Sequence, residues 1–523
     1  MMLSNKTRKL AENCVAALFL FFFYSPHCAG AELSVPHFFS DHMVLQQGKA
    51  VKVWGRATPG EEVSAQFRGA TGTARARDDG KWELRIQSGK ADSEGHRLVI
   101  WSGEEEVAIE DVLVGEVWFA AGQSNMMWKL STSANPSEAI AAAENPLIRM
   151  FHSPEVTAER PQDDIEGKWT VCASETAGDY SAVAYYYARK LQRELDIPVG
   201  VIVSAWGAKR IESFISRDAL NSQPETKPLV EALFRLEKNY EPVEAQALYE
   251  QRKVVFDEWL AKGRAVGEPR PRPARVKPTR PLLDAGKPGV IFNSMIHPFI
   301  GYNIRGAIWY QGESNAHDKL VPYDILLPLL IQDWRSRWGH DFPFYFVQLA
   351  SFRAPNTEPG ISDPWPLLQD RMRRVLDSTP KTGMAVITDT GDENNIHPKD
   401  KQTPGERLAR WALAMMYGKE IVYSGPLYES YVVQAASMTV RFSSVAEGLE
   451  SRDGKALQRF EIAGSDGKWH WANAEIVGTN QVKLSHLDIS KPVAARYAWA
   501  SNPAGANLVN SEGLPASVFC TQQ

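Results

Sequence analysis

The chain has 523 residues, of which 44% are hydrophobic, 10% aromatic and 23% charged. That profile supplies ample core-forming material and excludes a disordered, collagenous or single small-module protein. The formal net charge is -5 with Lys and Arg spread along the chain, which excludes the basic footprint of a nucleic-acid binder.

Residues 1–31 combine Lys6, Arg8 and Lys9, an apolar run over 15–24, and the small residues of Cys28-Ala29-Gly30-Ala31. These are the three parts of a secretory signal peptide. The apolar run is short for a bilayer span, and no later stretch reaches the roughly 18 to 20 apolar residues that one needs. The mature protein is expected to be secreted or periplasmic, with no stable membrane insertion. It keeps two of the four cysteines, Cys172 and Cys520, which can form one disulfide but no disulfide framework. Neither C-x-x-C nor H-E-x-x-H occurs, so no metal site is expected.

Over 32–111, short apolar runs at 51–54, 63–67 and 82–86 are separated by the turn signals Thr58-Pro59-Gly60 and Asp78-Asp79-Gly80. This spacing predicts a small, non-catalytic β-domain of sandwich type. From residue 112 to 420 the pattern changes. Strand-like runs at 112–121, 199–204, 307–310, 344–349 and 383–388 alternate with helical segments such as 180–195, predicting an α/β domain with a mainly parallel sheet flanked by helices.

An insertion at about 217–285 interrupts that domain. Its first part reads as one charged helix over 225–261 with Leu229, Leu233 and Leu236 on one stripe. The Pro/Arg run that follows, from Pro269 to Pro281, reads as a solvated polyproline-type connector. After residue 421 the alternation returns at 438–442, 459–462, 469–471, 481–484 and 494–499, predicting a second β-domain over 421–523.

In open parallel sheets, chemistry gathers beyond the carboxyl ends of the strands. The first such end carries Gly122-Gln123-Ser124-Asn125-Met126. A serine at a strand-to-helix turn presents its hydroxyl above the sheet and its own N–H as an oxyanion donor. It also serves as an ordinary helix N-cap, so the motif alone supports both readings. Three further strand ends favour chemistry. One carries Gly207, a bare N–H donor; one carries Gln311-Gly312-Glu313-Ser314-Asn315, with an amide donor at Asn315; the last leads into Asp389-Thr390-Gly391-Asp392-Glu393-Asn394-Asn395-Ile396-His397.

Ser, Gly, Asn and His in this order and in these contexts resemble the SGNH hydrolase superfamily, and within it the sialate O-acetylesterase-like family of carbohydrate esterases. His42-Met43-Val44-Leu45-Gln46, Val53-Trp54-Gly55, Ile304-Arg305-Gly306, Ser501-Asn502-Pro503 and Asn510-Ser511-Glu512-Gly513 are similar to that family too, so the resemblance spans nearly the whole mature chain. It implies a serine esterase acting on an O-acetylated carbohydrate without a cofactor. The same resemblance implies Ser124 as the nucleophile, His397 as the base, and Ser124, Gly207 and Asn315 as the oxyanion hole.

The superfamily pattern places an Asp three residues before the His, but Asn394 stands there. Asp392 is the first candidate for the supporting acid, Asp389 the second and Glu393 the third; a Ser–His pair with no carboxylate is the alternative. Gln123, Gln311 and Glu313 are candidate substrate contacts, as is His317. Trp128, Trp206 and Trp309 either border a sugar site or belong to the core. The substrate is an O-acetylated sialic acid, whose carboxylate Lys209, Arg210 or Arg353 can meet, or an acetylated hemicellulose such as xylan or xyloglucan. A non-catalytic carbohydrate-binding protein is the remoter reading.

Overall fold

The computed structural model describes residues 32–261, 278–317 and 320–522. The expected signal peptide and most of the Pro/Arg run lie outside the described residues.

The fold is organised on one 18-residue strand, β1 (Glu105–Gly122). Its first half alternates between exposed residues and the less exposed Val107, Ile109 and Asp111, and pairs antiparallel with Asp92–Ser102, beside Glu62–Phe67 and Ala70–Arg75. From Val112 onward every residue is buried, the mark of a strand covered on both faces. The expected boundary between residues 111 and 112 falls inside this strand.

The second half of β1 is the centre of the sheet that carries the site. Its other strands are β2 (Asn145–His152), β3 (Trp169–Cys172), β4 (Val199–Ala205), β5 (Gly306–Tyr310), β6 (Phe344–Gln348) and β7 (Thr382–Val386), in the order β7-β6-β5-β1-β4-β2-β3. All neighbours are parallel except β2 and β3, which pair antiparallel at the edge.

Helices cover both faces, because successive residues of a strand point to opposite sides. Trp118 packs on Tyr187 of α2 (Ala182–Leu195), with ring centroids 5.2 Å apart. Phe119 packs on Trp334 of α5 (Tyr323–Trp338), at 5.6 Å. On the Trp118 face lies also α7 (Gln402–Tyr417), so close to α2 that a Cβ on Gly405 would stand 2.7 Å from the Val183 carbonyl oxygen. Only glycine permits that approach, and it holds the start of α7 against the site.

The insertion differs from its sequence-based expectation. Instead of one helix over 225–261 there are two, α3 (Lys227–Lys238) and α4 (Pro242–Ala261), and Pro242 opens the second, where its missing N–H costs no bond. The buried positions of α3 are Val230 and Leu233, while Leu236 is 50% exposed. The expected leucine stripe is therefore turned partly to solvent. The end of the Pro/Arg run is docked rather than solvated: Arg280 pairs with Glu237, and Pro281 and Leu282 are buried.

Beyond α7 the chain forms two four-stranded antiparallel sheets around a second core that includes Phe442, Ile462 and Phe519. Hydrogen bonds tie this region to the α/β layer, among them Gln348 Nε2 to Ser517 Oγ at 2.9 Å and Asn502 Nδ2 to the Arg353 carbonyl at 2.7 Å. Cys172 and Cys520 are both free. The buried Cys172 thiol donates to the Ala143 carbonyl, and burial raises its pKa to about 12. Among the described residues no helix is long and apolar enough to cross a membrane.

Gly122, with φ +145°, lies so close to β5 that an added Cβ would stand 2.1 Å from the Tyr310 carbonyl oxygen. Gly122→Ala is expected to cost at least the roughly 1–3 kcal/mol of an unfavourable backbone conformation. Equilibrium urea unfolding will read this as a lower midpoint with an unchanged slope.

Candidate active site

Register places the site. Gly122 at the end of β1 lies opposite Ala205 on β4 and opposite Tyr310 on β5, so three strand ends are level. Two backbone bonds continue the ladder past them, Gln123 N–H to the Tyr310 carbonyl and Trp206 N–H to the Gly122 carbonyl, both 3.0 Å. The residues that follow leave the sheet together. Ser124 starts the four-residue helix α1 (Ser124–Met127). Gly207 follows so closely that a Cβ on it would meet Ser124 Cβ at 3.5 Å.

His397 reaches Ser124 from the loop after β7. Its Nε2 lies 2.8 Å from Ser124 Oγ, the distance of a hydroxyl donating to a neutral imidazole. The imidazole stacks on Trp128, with centroids 5.1 Å apart and planes at 20°. Burial, and then the charge of Lys401, hold the His397 pKa below the ordinary histidine value. Both act by disfavouring the imidazolium.

Among the described residues, the N–H groups of Ser124 and Gly207 have no acceptor. Asn315 is held at every other point. Its Oδ1 accepts from Ile211 N–H at 3.0 Å and from Gln311 Nε2 at 2.8 Å, and its Nδ2 donates to Glu212 Oε2 at 3.0 Å. Two donors on Oδ1 settle the amide orientation and leave one Nδ2 hydrogen for another acceptor.

Among the described residues Asp392 makes no hydrogen bond or ion pair with His397; it is exposed, and its Oδ1 accepts the backbone N–H of Asn394 two residues on, a local turn. Asp389 is engaged by both terminal nitrogens of Arg407 and by Arg452. Glu393 accepts from the Asn394 amide. Among the described residues no carboxylate forms a hydrogen bond or ion pair with His397.

The three expected substrate contacts are turned into the protein. Gln311 is 0% exposed; it donates to the Lys209 carbonyl and to Asn315 and accepts from the Tyr323 hydroxyl. Glu313 is buried, with Oε1 on Asn125 Nδ2 at 2.5 Å, and burial raises its pKa. Gln123, 3% exposed, accepts the Ser314 N–H. These groups fit a scaffold that shapes the strand-end loops. Trp309 is wholly buried core, whereas Trp128 and Trp206 are half-buried.

Two residues at the site carry no role in the sequence reading. Lys401 is 1% exposed and donates from Nζ to Asn125 Oδ1 at 2.7 Å and to the Pro398 carbonyl at 2.5 Å. Asn125 also donates to the Ile396 carbonyl at 3.2 Å. The only signal for Asn125 is its place in the serine motif, and a lone Lys before a helix has none. Far from the site, His470, His486 and Asp488 bring one ligand atom each within 4.8 Å of one another; among the described residues no such group occurs at Ser124.

No family model matches the chain. It is 28% identical to the sialate O-acetylesterase of Mus musculus, covering 94% of this chain and 95% of the relative. It is 26% identical to that of Homo sapiens, covering 95% and 94%. Its fold matches the crystal structure of a carbohydrate acetylesterase from Xanthomonas citri at 30% identity and a TM-score of 0.78, over 94% of this chain and 99% of that one.

Because no hydrogen bond or ion pair joins Asp392 to His397 among the described residues, Asp392→Asn is expected to keep kcat within about threefold of wild type. Loss of a charge-bearing triad acid costs on the order of 10⁴. A steady-state comparison at one pH separates the two.

Proposed function

The chain belongs to the sialate O-acetylesterase-like family of carbohydrate esterases and is a carboxylic ester hydrolase, and from this premise we propose that it is a secreted serine esterase that deacetylates sialic acids. The coarser activity, carbohydrate O-acetylesterase, follows from the family. The mechanism rests on one observation, Ser124 Oγ at 2.8 Å from His397 Nε2 beside two N–H groups without protein acceptors.

His397 takes the hydroxyl proton as Ser124 Oγ attacks the acetyl carbonyl, forming the tetrahedral intermediate. The N–H groups of Ser124 and Gly207 and the remaining Nδ2 hydrogen of Asn315 receive the oxyanion. The imidazolium then protonates the departing sugar oxygen, leaving acetyl on Ser124. Water, deprotonated by His397, hydrolyses the acyl-enzyme and releases acetate. No carboxylate is assigned to this cycle.

Sialic acid as the substrate is supported by the curated relatives, which are named sialate O-acetylesterases. Lys209 and Arg353 add to it: among the described residues neither forms an ion pair with a carboxylate, although the charge of Lys209 reaches Glu155, whereas Arg210 pairs with Glu212. Arg353 and Lys209 are thus available to a sugar carboxylate. Residues 1–31 are read as the leader that exports the protein, and 32–111 and 421–523 as sandwich-like, non-catalytic domains around the hydrolase domain.

Ser124→Ala is expected to abolish both acetate release and labelling by a fluorophosphonate, read by mass spectrometry of the intact protein. Asn315→Ala should lower kcat by about 10² to 10³ with little change in KM; a raised KM at unchanged kcat would assign Asn315 to ground-state binding instead. Acetate release from acetylated sialosides should exceed that from acetylated xylan and xyloglucan, and the reverse order would make hemicellulose the substrate.

The pH profile follows from His397. Only the neutral imidazole accepts the Ser124 proton, so kcat/KM rises with pH through the His397 pKa. Because burial and Lys401 depress that pKa, the acid limb should lie below the ordinary histidine value of about 6.5.

A further inference from the structure

We propose that Asn125 and Lys401 form a buried clamp that positions His397, doing for this esterase the orienting work that a triad carboxylate does elsewhere. The inference rests on the Ser124–His397 reading above.

A base must hold its ring still, and among the described residues no hydrogen bond of His397 involves its other ring nitrogen. Around His397 the constraints come instead from the backbone on either side and from the face of the ring. Asn125 Nδ2 donates to the carbonyl of Ile396, the residue before His397, at 3.2 Å. Lys401 Nζ donates to the carbonyl of Pro398, the residue after it, at 2.5 Å. Lys401 Nζ also donates to Asn125 Oδ1 at 2.7 Å, so the two grips are joined into one unit. Asn125 follows the nucleophile directly in the chain, and therefore ties the histidine loop to the turn that carries Ser124.

The ring face is held by the same unit. His397 stacks on Trp128, and Lys401 Nζ lies 5.4 Å from the centre of the Trp128 ring, within cation–π range. With both flanking carbonyls and the plane of the ring held, the ring pose that sets Nε2 at 2.8 Å from Ser124 Oγ is favoured.

The charge of the clamp is balanced from behind. Glu313 takes the second contact of Asn125 at 2.5 Å, and Glu313 and Asp400 are the acids acting on Lys401. Lys401 is the charged group acting on His397. Burial draws the Lys401 pKa down to about 7, so in the range where His397 titrates Lys401 carries its proton. Its charge then opposes protonation of the base.

Three variants test the clamp: Lys401→Met, Lys401→Arg and Asn125→Ala. Displacing a reacting group by about 1 Å costs on the order of 10²-fold in rate. Lys401→Met is accordingly expected to lower kcat by about 10- to 100-fold, to leave KM within about twofold, and to move the acid limb of kcat/KM upward in pH as the opposing charge is lost. Lys401→Arg, which keeps the charge and the donors, should leave the acid limb in place. Asn125→Ala should lower kcat comparably without moving the limb, since Lys401 stays. The double variant should lose no more than the worse single one, as for two parts of one unit.

Stoichiometric fluorophosphonate labelling of Ser124 in each variant, with circular dichroism, shows that the site is folded; should Lys401→Met fail to fold, Asn125→Ala decides alone. Folded variants that keep wild-type kcat and pH profile would overturn the clamp while leaving the Ser–His mechanism standing. A wild-type enzyme that takes no label, with an active Ser124→Ala variant, would overturn the mechanism itself.

Discussion

The ladder that sets Gly122 opposite both Ala205 and Tyr310 governs the geometry of everything around it. A parallel sheet aligns the carboxyl ends of its strands only where register makes them level, and a slip of one residue would turn each following side chain to the other face. Here the loops after β1, β4 and β5 leave the sheet at one height. Gly122 is the tightest point of that arrangement, since its backbone meets the Tyr310 carbonyl where no side chain fits. Ser124 and Gly207 adjoin because their strands are in step, and Asn315 is delivered from the third.

Two kinds of polar group surround Ser124. Gln311 and the Oδ1 of Asn315 spend their capacity on protein partners, whereas among the described residues Glu313 Oε2 is buried without one. Such networks are costly unless complete, and when complete they fix loops rigidly. Among the described residues the N–H groups of Ser124 and Gly207 and one Nδ2 hydrogen of Asn315 have no protein acceptor. Donors held by satisfied neighbours and aimed at one point are what a preorganised oxyanion site would show.

The histidine side departs from the usual economy of a triad. A carboxylate on the distal nitrogen would stabilise the imidazolium by charge. The charged neighbour here is a buried ammonium, which with burial disfavours the imidazolium, so the imidazole remains neutral to lower pH. Lys401 and Glu313 are joined through Asn125 rather than in direct contact. Each stays buried because the other's charge and the shared amide offset part of the desolvation cost that either would bear alone.

The sequence by itself determined the α/β class, the alternation that marks five of the central strands, and the four residue types at their ends. Those signals are local: apolar runs, turn residues and a motif of adjacent positions. It did not reveal the edge strand β3 and its neighbour β2, whose patterns are irregular, nor the break between α3 and α4, where a proline starts a helix instead of ending one. Asp392 seemed the natural acid because it lies near His397 in the chain. Neighbouring letters allowed either outcome, and in the folded loop its Oδ1 takes the Asn394 N–H while no bond joins it to His397. The same holds for Gln311 and Glu313, whose side chains point inward, and for Lys401, which meets Asn125 across 276 residues of sequence. Local chemistry can be read from neighbouring letters; the direction of a side chain, and the partner that consumes it, depend on contacts that form only when distant segments pack.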